Sequence, residues 1–476
     1  DNTGYRQTIK NTLTFDPGIL QRFVNFMNNP DEESAVAQFG NGNKYFGVCT
    51  LMVTMPGLPM FGHGQIEGFS EKYGMEYPRA YWDESVDEPL LQHHERMLFP
   101  LLGRRDLFSE VEHFALYDFY TAEGVNEDVI SFSNRRDDQR ALVVYHNRHR
   151  ETSGWIRTAW APGTNEKSGI ENATLASALA LGNEETLWRF RDHCSGKSYL
   201  RTARQFNEDE FFLQLGPYEA CVFLDFEPLE DPEGEWRALW RKLDGQPVTD
   251  LDRQRQKLRY SKLHAALLDT LVAMGTPDSL TDRQLAPLVE ELEKQTGSEV
   301  DVEALLSGLQ RDLERLPAEE PRYPMAIAPP LVLLRHLDIG FDLVSDRFDR
   351  YLLEVPLFEW LAERGLPVST AELERLVGLV RSLLLWQQLL QQKTPDAALH
   401  SLLEEPRTRT LIGCNRFKGH VWFNQESMEL LLNGMEMAAE IFYPPAGAVP
   451  LVSKIDQYRT ACHQSGYSLE KFLRLF

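Results

Sequence analysis

The chain has 476 residues, too many for one compact core, so two or three domains are expected. Acidic residues outnumber basic ones by 72 to 49, giving a formal net charge of −23. Such a field repels nucleic acid and anionic membrane surfaces, and the basic clusters at Arg135–Arg136 and Arg253–Arg259 are short and interleaved with polar or acidic residues. No apolar run reaches the roughly 18–20 residues of a membrane helix, so neither nucleic acid nor membrane is an expected partner.

Five cysteines (Cys49, Cys194, Cys221, Cys414 and Cys462) lie far apart with no C-x-x-C pair. That spacing argues against a disulfide framework or a zinc site. Reduced thiols, a cytoplasmic setting and no metal or cofactor are expected. The sequence opens Asp1-Asn2-Thr3-Gly4, without Met or a signal-peptide pattern, and reaches a strand-like run soon afterwards. A first domain lacking its beginning is therefore expected.

Three blocks follow in chain order. Residues 1–112 have βα character. Ile19–Arg22 closes a helix, and Phe23–Met27 is a short apolar run suited to a buried parallel strand. Ser34–Gly40 and Tyr45–Met55 are helix-like, and Pro56-Gly57 stops the second of them. Leu58–Gly62 reads as another short strand. Leu90–Leu102 is predicted as one amphipathic helix, with Leu91, His94, Met97, Leu98 and Leu101 at helical spacing.

Residues 113–228 are strand-rich. Val129–Asn134 and Ala141–Asn147 flank a polar turn, and Phe211–Leu215 and Ala220–Asp225 flank Gly216–Glu219, so two hairpins and an antiparallel β-sandwich are predicted. Residues 163–183 are small and polar, an expected surface excursion. After an acidic, proline-containing linker at 227–235, residues 229–476 are mainly helical. Runs there include Leu263, Leu267, Leu271 and Met274, then Val302 to Leu316, then Leu373 to Leu390.

The run Phe26-Met27-Asn28-Asn29-Pro30-Asp31 resembles the F-x-x-N-H-D region of the α-amylase superfamily of glycoside hydrolases. Thr54-Met55-Pro56-Gly57-Leu58-Pro59-Met60-Phe61-Gly62-His63-Gly64-Gln65 resembles that family's T-x-P-G-x-P-x-x-Y-x-G-x-E stretch. Residues 95–105 resemble its last barrel helix, and Val129–Asn147 its C-terminal β-domain. The resemblance implies that residues 1–112 are the C-terminal part of a catalytic (β/α) barrel and 113–228 a β-sandwich of amylase type. Residues 229–476 would then be a mainly helical accessory domain.

It further implies that Asp31, at the C-terminal end of a barrel strand, is the catalytic carboxylate that stabilises positive charge developing at the anomeric carbon. Asn28, Asn29, His63 and Gln65 are the implied substrate contacts, and an α-glucan or maltooligosaccharide is the implied partner. The competing reading makes Asp31 a helix cap, with Glu32 and Glu33 in the first turn.

The departures are specific. Pro30 stands where the family has His. The insert Ile66–Asp83 (Glu67, Glu71, Lys72, Tyr73, Glu76, Tyr77, Arg79, Tyr81, Trp82 and Asp83) has no counterpart in the pattern. Placed above a barrel site it suits sugar stacking; the competing reading packs its aromatics on a neighbouring domain. The family's G-x-R-x-D nucleophile motif does not occur upstream of Asp31, and retention of configuration needs two carboxylates about 5–5.5 Å apart. A glycosidase whose nucleophile and acid lie outside this sequence is expected; the alternative is an inactive, glucan-binding scaffold. Tyr45–Met55, nearly apolar throughout, is expected to be buried in the chain, whereas residues 1–112 expressed alone would expose it and aggregate.

Overall fold

The computed structural model describes residues 1–72, 79–162, 170–207, 211–274, 280–315, 325–337 and 344–476. Tyr73, Glu76 and Tyr77 of the insert, part of the 163–183 stretch and Leu316 lie outside them. The chain forms two compact units, Asp1–Arg255 and Gln256–Phe476. The fold is mixed α/β, with a curled antiparallel sheet and many helices. The division falls at Arg255, so the helix Glu235–Leu243 belongs with the first unit.

The first unit opens with α1 (Asn2–Phe15), capped by the Asp1 carboxylate. Its Arg6 is buried and spends its guanidinium on Glu127 at 2.8 Å, on the Val129 carbonyl at 2.7 Å, and on Asp118. A buried guanidinium is tolerated because each of these bonds offsets its desolvation. The helix expected to close at Ile19–Arg22 is a 3₁₀ turn, Pro17–Arg22, capped by Asp16.

β1 (Val24–Phe26), α2 (Ala35–Phe39), α3 (Asn43–Thr54) and β2 (Leu58–Met60) form a strand–helix–strand unit with β1 and β2 parallel. Gly57 makes the entry to β2 possible. Its φ is +100°, and a Cβ there would lie 2.4 Å from the Phe23 carbonyl oxygen. Arg105 fixes the same turn by donating to the carbonyls of Val53 (2.8 Å), Met55 (3.0 Å) and Gly57. α4 (Glu88–His93) runs into a π-helical turn, His94–Leu98, and a last turn, Phe99–Leu102. The single amphipathic helix expected over Leu90–Leu102 is widened here because Pro100 has no N–H to donate. The widening brings Leu90, His94, Leu98 and Leu101 to the buried face.

Ten strands then build one sheet: β3 (Ala115–Thr121), β4 (Gly124–Val125), β5 (Val129–Arg136), β6 (Gln139–His146), β7 (Thr152–Pro162), β8 (Ile170–Ala173), β9 (Leu187–Asp192), β10 (Ser198–Thr202), β11 (Phe212–Leu215) and β12 (Ala220–Leu229). The order is β10-β9-β12-β6-β5-β3-β7-β11, with β4 on β3 and β8 on β7. The β5–β6 hairpin is as expected, Ile130 facing Tyr145 and Phe132 facing Val143. The second expected hairpin is not formed. β11 pairs with β7, whereas β12 pairs with β6 and β9, so residues 216–219 cross between distant strands.

All ten strands are hydrogen-bonded into one sheet rather than divided between the two of a sandwich. The sheet curls over one of its own faces: Phe211, beside β11, lies 6.4 Å from Phe190 of β9 and 5.8 Å from Phe223 of β12, ring centre to ring centre.

Both faces of this sheet are apolar, which explains runs such as Ala141–Tyr145. Leu142, Val144, Cys221 and Phe223 face the curled interior. Ala141, Val143, Tyr145, Val222 and Leu224 face Tyr45, Cys49, Met52, Leu98 and Phe108 of the βα layer. Tyr45–Met55 is buried as its apolar run predicts: the outer face of the sheet covers most of α3. Val24, Phe26, Leu58 and Met60 of the short parallel strands are among the exposed apolar side chains.

The second unit is helical around a single apolar core. Its long helix Thr370–Gln392 starts in a capping box between Ser369 and Glu372 and buries Leu376, Leu379, Val380, Leu383 and Trp386. Arg381 forks onto Asp349 at 2.9 and 2.8 Å. A small hairpin, Asn415–Phe417 with His420–Trp422, turns at Lys418-Gly419. Among the described residues no helix is long and apolar enough to cross a membrane, and all five cysteines are unpaired.

Gly47 sits where α3 meets the sheet, and a Cβ there would fall 1.9 Å from the Tyr145 ring. Gly47→Ala is expected to lower stability by about 1–3 kcal/mol, read as a lower Tm. Tyr145→Ala in the same chain should recover part of that loss, as a double-mutant cycle would show.

Candidate functional site

Because β1 and β2 are parallel and in register, with Val24 beside Leu58 and Phe26 beside Met60, the segments leaving them emerge at the same end. Asn25 ties the pair together by donating its side-chain amide to the Pro56 carbonyl at 2.8 Å. Residues 27–31 and 61–65 thus come together. A cleft of about 210 Å³ opens between them, lined by Asn28, Asn29, Pro30, Gly62 and His63 together with Glu71 and Lys72 of the insert.

Asn28 is buried, and its side-chain carbonyl oxygen has no partner among the described residues. Buried acceptors are ordinarily satisfied, so this oxygen is an exception in the cleft wall. Glycine at position 62 makes room for it: a Cβ there would lie 2.5 Å from that oxygen. Asn29 turns the chain by accepting the Asp31 backbone N–H at 2.9 Å. His63 lies 6.4 Å from the Phe69 ring.

Asp31 is exposed and stands just past the cleft wall formed by residues 28–30. It does not cap the following helix. Ser34 does, accepting the Ala37 N–H at 3.3 Å.

Gln65 is placed differently from the other predicted site residues. Its side chain is buried and points into the protein: Oε1 accepts the Gly62 N–H at 3.0 Å, and Nε2 faces the Met27 sulfur at 3.2 Å and the Cys49 sulfur at 3.9 Å. Its backbone carbonyl accepts the Tyr45 hydroxyl at 2.8 Å, and that hydroxyl lies 2.9 Å from His94 Nε2. Since Tyr45 gives its one proton to Gln65, His94 must donate from Nε2, leaving Nδ1 bare and buried. Burial pushes the Cys49 thiol and the Tyr45 phenol above their ordinary ranges. Both stay neutral.

Structure therefore gathers Asn28, Asn29 and His63 at one cleft, sets Asp31 at its edge, and makes Gln65 a strut behind it. Glu71 and Lys72 line the cleft as members of the insert expected above the site, whereas Tyr45 and His94 were not expected in this region. Glu71 and Lys72 carried a partial signal, as members of a polar-aromatic insert. Tyr45 and His94 carried none, because they meet only in three dimensions. Among the described residues no group of His, Cys, Asp or Glu could hold a metal.

Neither a family model nor a curated protein matches the chain. Over about half its length it is similar to solved structures of α-amylase-family glycoside hydrolases. An α-amylase from Geobacillus thermoleovorans, complexed with acarbose, is 11% identical, with 47% of this chain and 42% of that one covered and a TM-score of 0.31. The cyclomaltodextrin glucanotransferase CldA gives 12%, 48%, 43% and 0.30. The cyclic α-maltosyl-(1→6)-maltose hydrolase of Arthrobacter globiformis gives 13%, 43%, 35% and 0.24. The chain thus spans less than half the length of each of these three proteins.

Burial, and then neighbouring His93, lower the His94 pKa from the ordinary 6.5 to about 4. The unfolded chain takes up a proton that the folded protein refuses, so the neutral imidazole contributes stability that is complete above pH 6.5 and lost as pH falls to about 4. Over that window, wild type should lose on the order of 2 kcal/mol more stability than His94→Gln. Chemical denaturation at several pH values measures this; equal losses would contradict it.

Proposed function

We propose that this chain is the C-terminal part of an α-amylase-type glycoside hydrolase, with residues 27–31 and 61–65 forming part of its α-glucan site. The reading rests on one observation above all. Two consecutive parallel strands, joined through helices, deliver the two family-like segments to the same end and around one cleft. Carboxyl ends of parallel strands are where (β/α) barrels bind substrate. On this reading, residues 1–112 are the end of such a barrel, 113–228 its C-terminal β-domain, and the helical unit Gln256–Phe476 an accessory domain. The unpaired cysteines suit a cytoplasmic setting.

Chemically, Asp31 is assigned the carboxylate that stabilises the oxocarbenium-like transition state, and Asn28, Asn29 and His63 the contacts to sugar hydroxyls. Gln65 is assigned the positioning of the Gly62–His63 wall. Retaining hydrolysis or transfer also needs a nucleophile and an acid, which the two strands present here do not supply. The activity is accordingly assigned to a polypeptide that carries those groups as well. A second reading, glucan binding without hydrolysis, is favoured by Pro30 standing where the family has His.

In a polypeptide carrying the complete barrel, Asp31→Asn is expected to lower kcat on maltooligosaccharides by about 10²-fold or more, with binding retained. Glucan binding without turnover in the unaltered protein would select the second reading. Neither binding nor turnover would overturn both.

A further inference from the structure

A second pocket of the first unit shares no lining residue with the candidate cleft. Its volume is about 760 Å³, within the range of small-molecule sites. It opens where α3 and the π-helical turn face the sheet, and Phe46, Met97, Leu101, Tyr218 and Leu224 give it apolar walls. His193, in the turn after β9, joins the two sides by donating from Nε2 to the Met97 carbonyl at 2.7 Å. The walls are thus tied together without a ligand.

Three guanidinium groups line the same pocket, those of Arg96, Arg104 and Arg191. The fold brings Arg191 on β9 to the other two, so no local basic run announces this cluster. Arg104 and Arg191 share one carboxylate, Asp225, at 2.7 and 3.3 Å. Arg96 pairs with no carboxylate among the described residues; its guanidinium lies 3.4 Å from His93 Nδ1. Burial, and then Arg96 itself, lower the His93 pKa. The neutral imidazole therefore accepts at Nδ1 and carries its proton on Nε2.

The two carboxylates of the lining are already engaged. Asp192 is buried and accepts the N–H groups of Cys194 (3.1 Å), Ser195 (3.0 Å) and Val222 (3.0 Å). Glu219 accepts the Gly216 N–H at 2.6 Å. The charged group left without a counter-ion is a donor, in a chain whose net charge of −23 repels anions elsewhere. Guanidinium binds phosphate and carboxylate groups through paired N–H bonds. Apolar walls beside it suit a ligand with a body, not a bare ion.

We propose that this pocket binds a small organic anion, an apolar or aromatic body bearing a phosphate or carboxylate group. Arg96 holds the anionic group, and Phe46, Met97 and Leu101 take the body. This site is independent of the α-glucan reading of the cleft.

Calorimetric titration of the full 476-residue chain with phenyl phosphate and with phenylacetate tests this. At least one of the two is expected to bind, and the tighter one identifies the anionic group. Arg96→Ala should weaken that binding by about tenfold or more and keep the wild-type Tm, because Arg96 is exposed and makes no ion pair. Arg283→Ala, which removes the same charge from the helical unit, should leave affinity unchanged. Benzyl alcohol and inorganic phosphate, which each lack one half of the ligand, should bind at least about tenfold more weakly. Absence of binding by both anions overturns the proposal. So does equal weakening by Arg96→Ala and Arg283→Ala, which marks a general charge effect, or inorganic phosphate binding as tightly as phenyl phosphate.

Discussion

The geometry of the candidate site depends on a buried hydrogen-bonded knot behind it. Gln65 grips the Gly62 N–H from one side, and Tyr45 grips the Gln65 carbonyl from the other. His94, neutral and buried, completes the set through the Tyr45 hydroxyl. Each member lies on a different element: Tyr45 on α3, His94 in the π-helical turn, Gln65 past β2. Loss of any one leaves a polar group unpaired in an apolar layer, which costs more than the bond itself contributes. The wall carrying His63 is therefore held by helix packing more than by its own sequence.

That packing has its own foundation. α3 can lie close to the sheet because Gly47 has no side chain to strike Tyr145. α1 is tied to β5 by the bond from Arg6 to the Val129 carbonyl. The βα layer thus has a sheet on one side as a rigid floor. On the other side, Val24, Phe26, Leu58 and Met60 of the parallel strands remain exposed. Parallel strands are normally covered on both faces, so this surface has the character of an interior.

How much was legible in the sequence follows from whether the determining contacts are local. The β5–β6 hairpin was readable because turn and partners are contiguous. The apparent hairpin at 211–225 shows the same local pattern, yet β11 and β12 belong to distant strands of the curled sheet. Alternation and a Gly-Pro turn look the same whether the partner is adjacent or across a sheet. That Asn28, Asn29 and His63 would come together was legible because two compact segments carry the resemblance. Gln65 belonged to the same segment, but its role was not legible: a side chain's direction depends on Cys49 and Met27, which no spacing rule connects to it. The π-helical turn left a trace only in Pro100. Ser34 and Asp31 were both reasonable caps by type, and only backbone geometry separates them.

The most direct test of the account is amide hydrogen exchange of the full chain with and without maltoheptaose. The account predicts that the sugar slows exchange in the two segments following β1 and β2, residues 27–34 and 61–65, and leaves the outer strands of the curled sheet unchanged. Binding that protects other surfaces while leaving both of these segments untouched would contradict the assignment of the cleft.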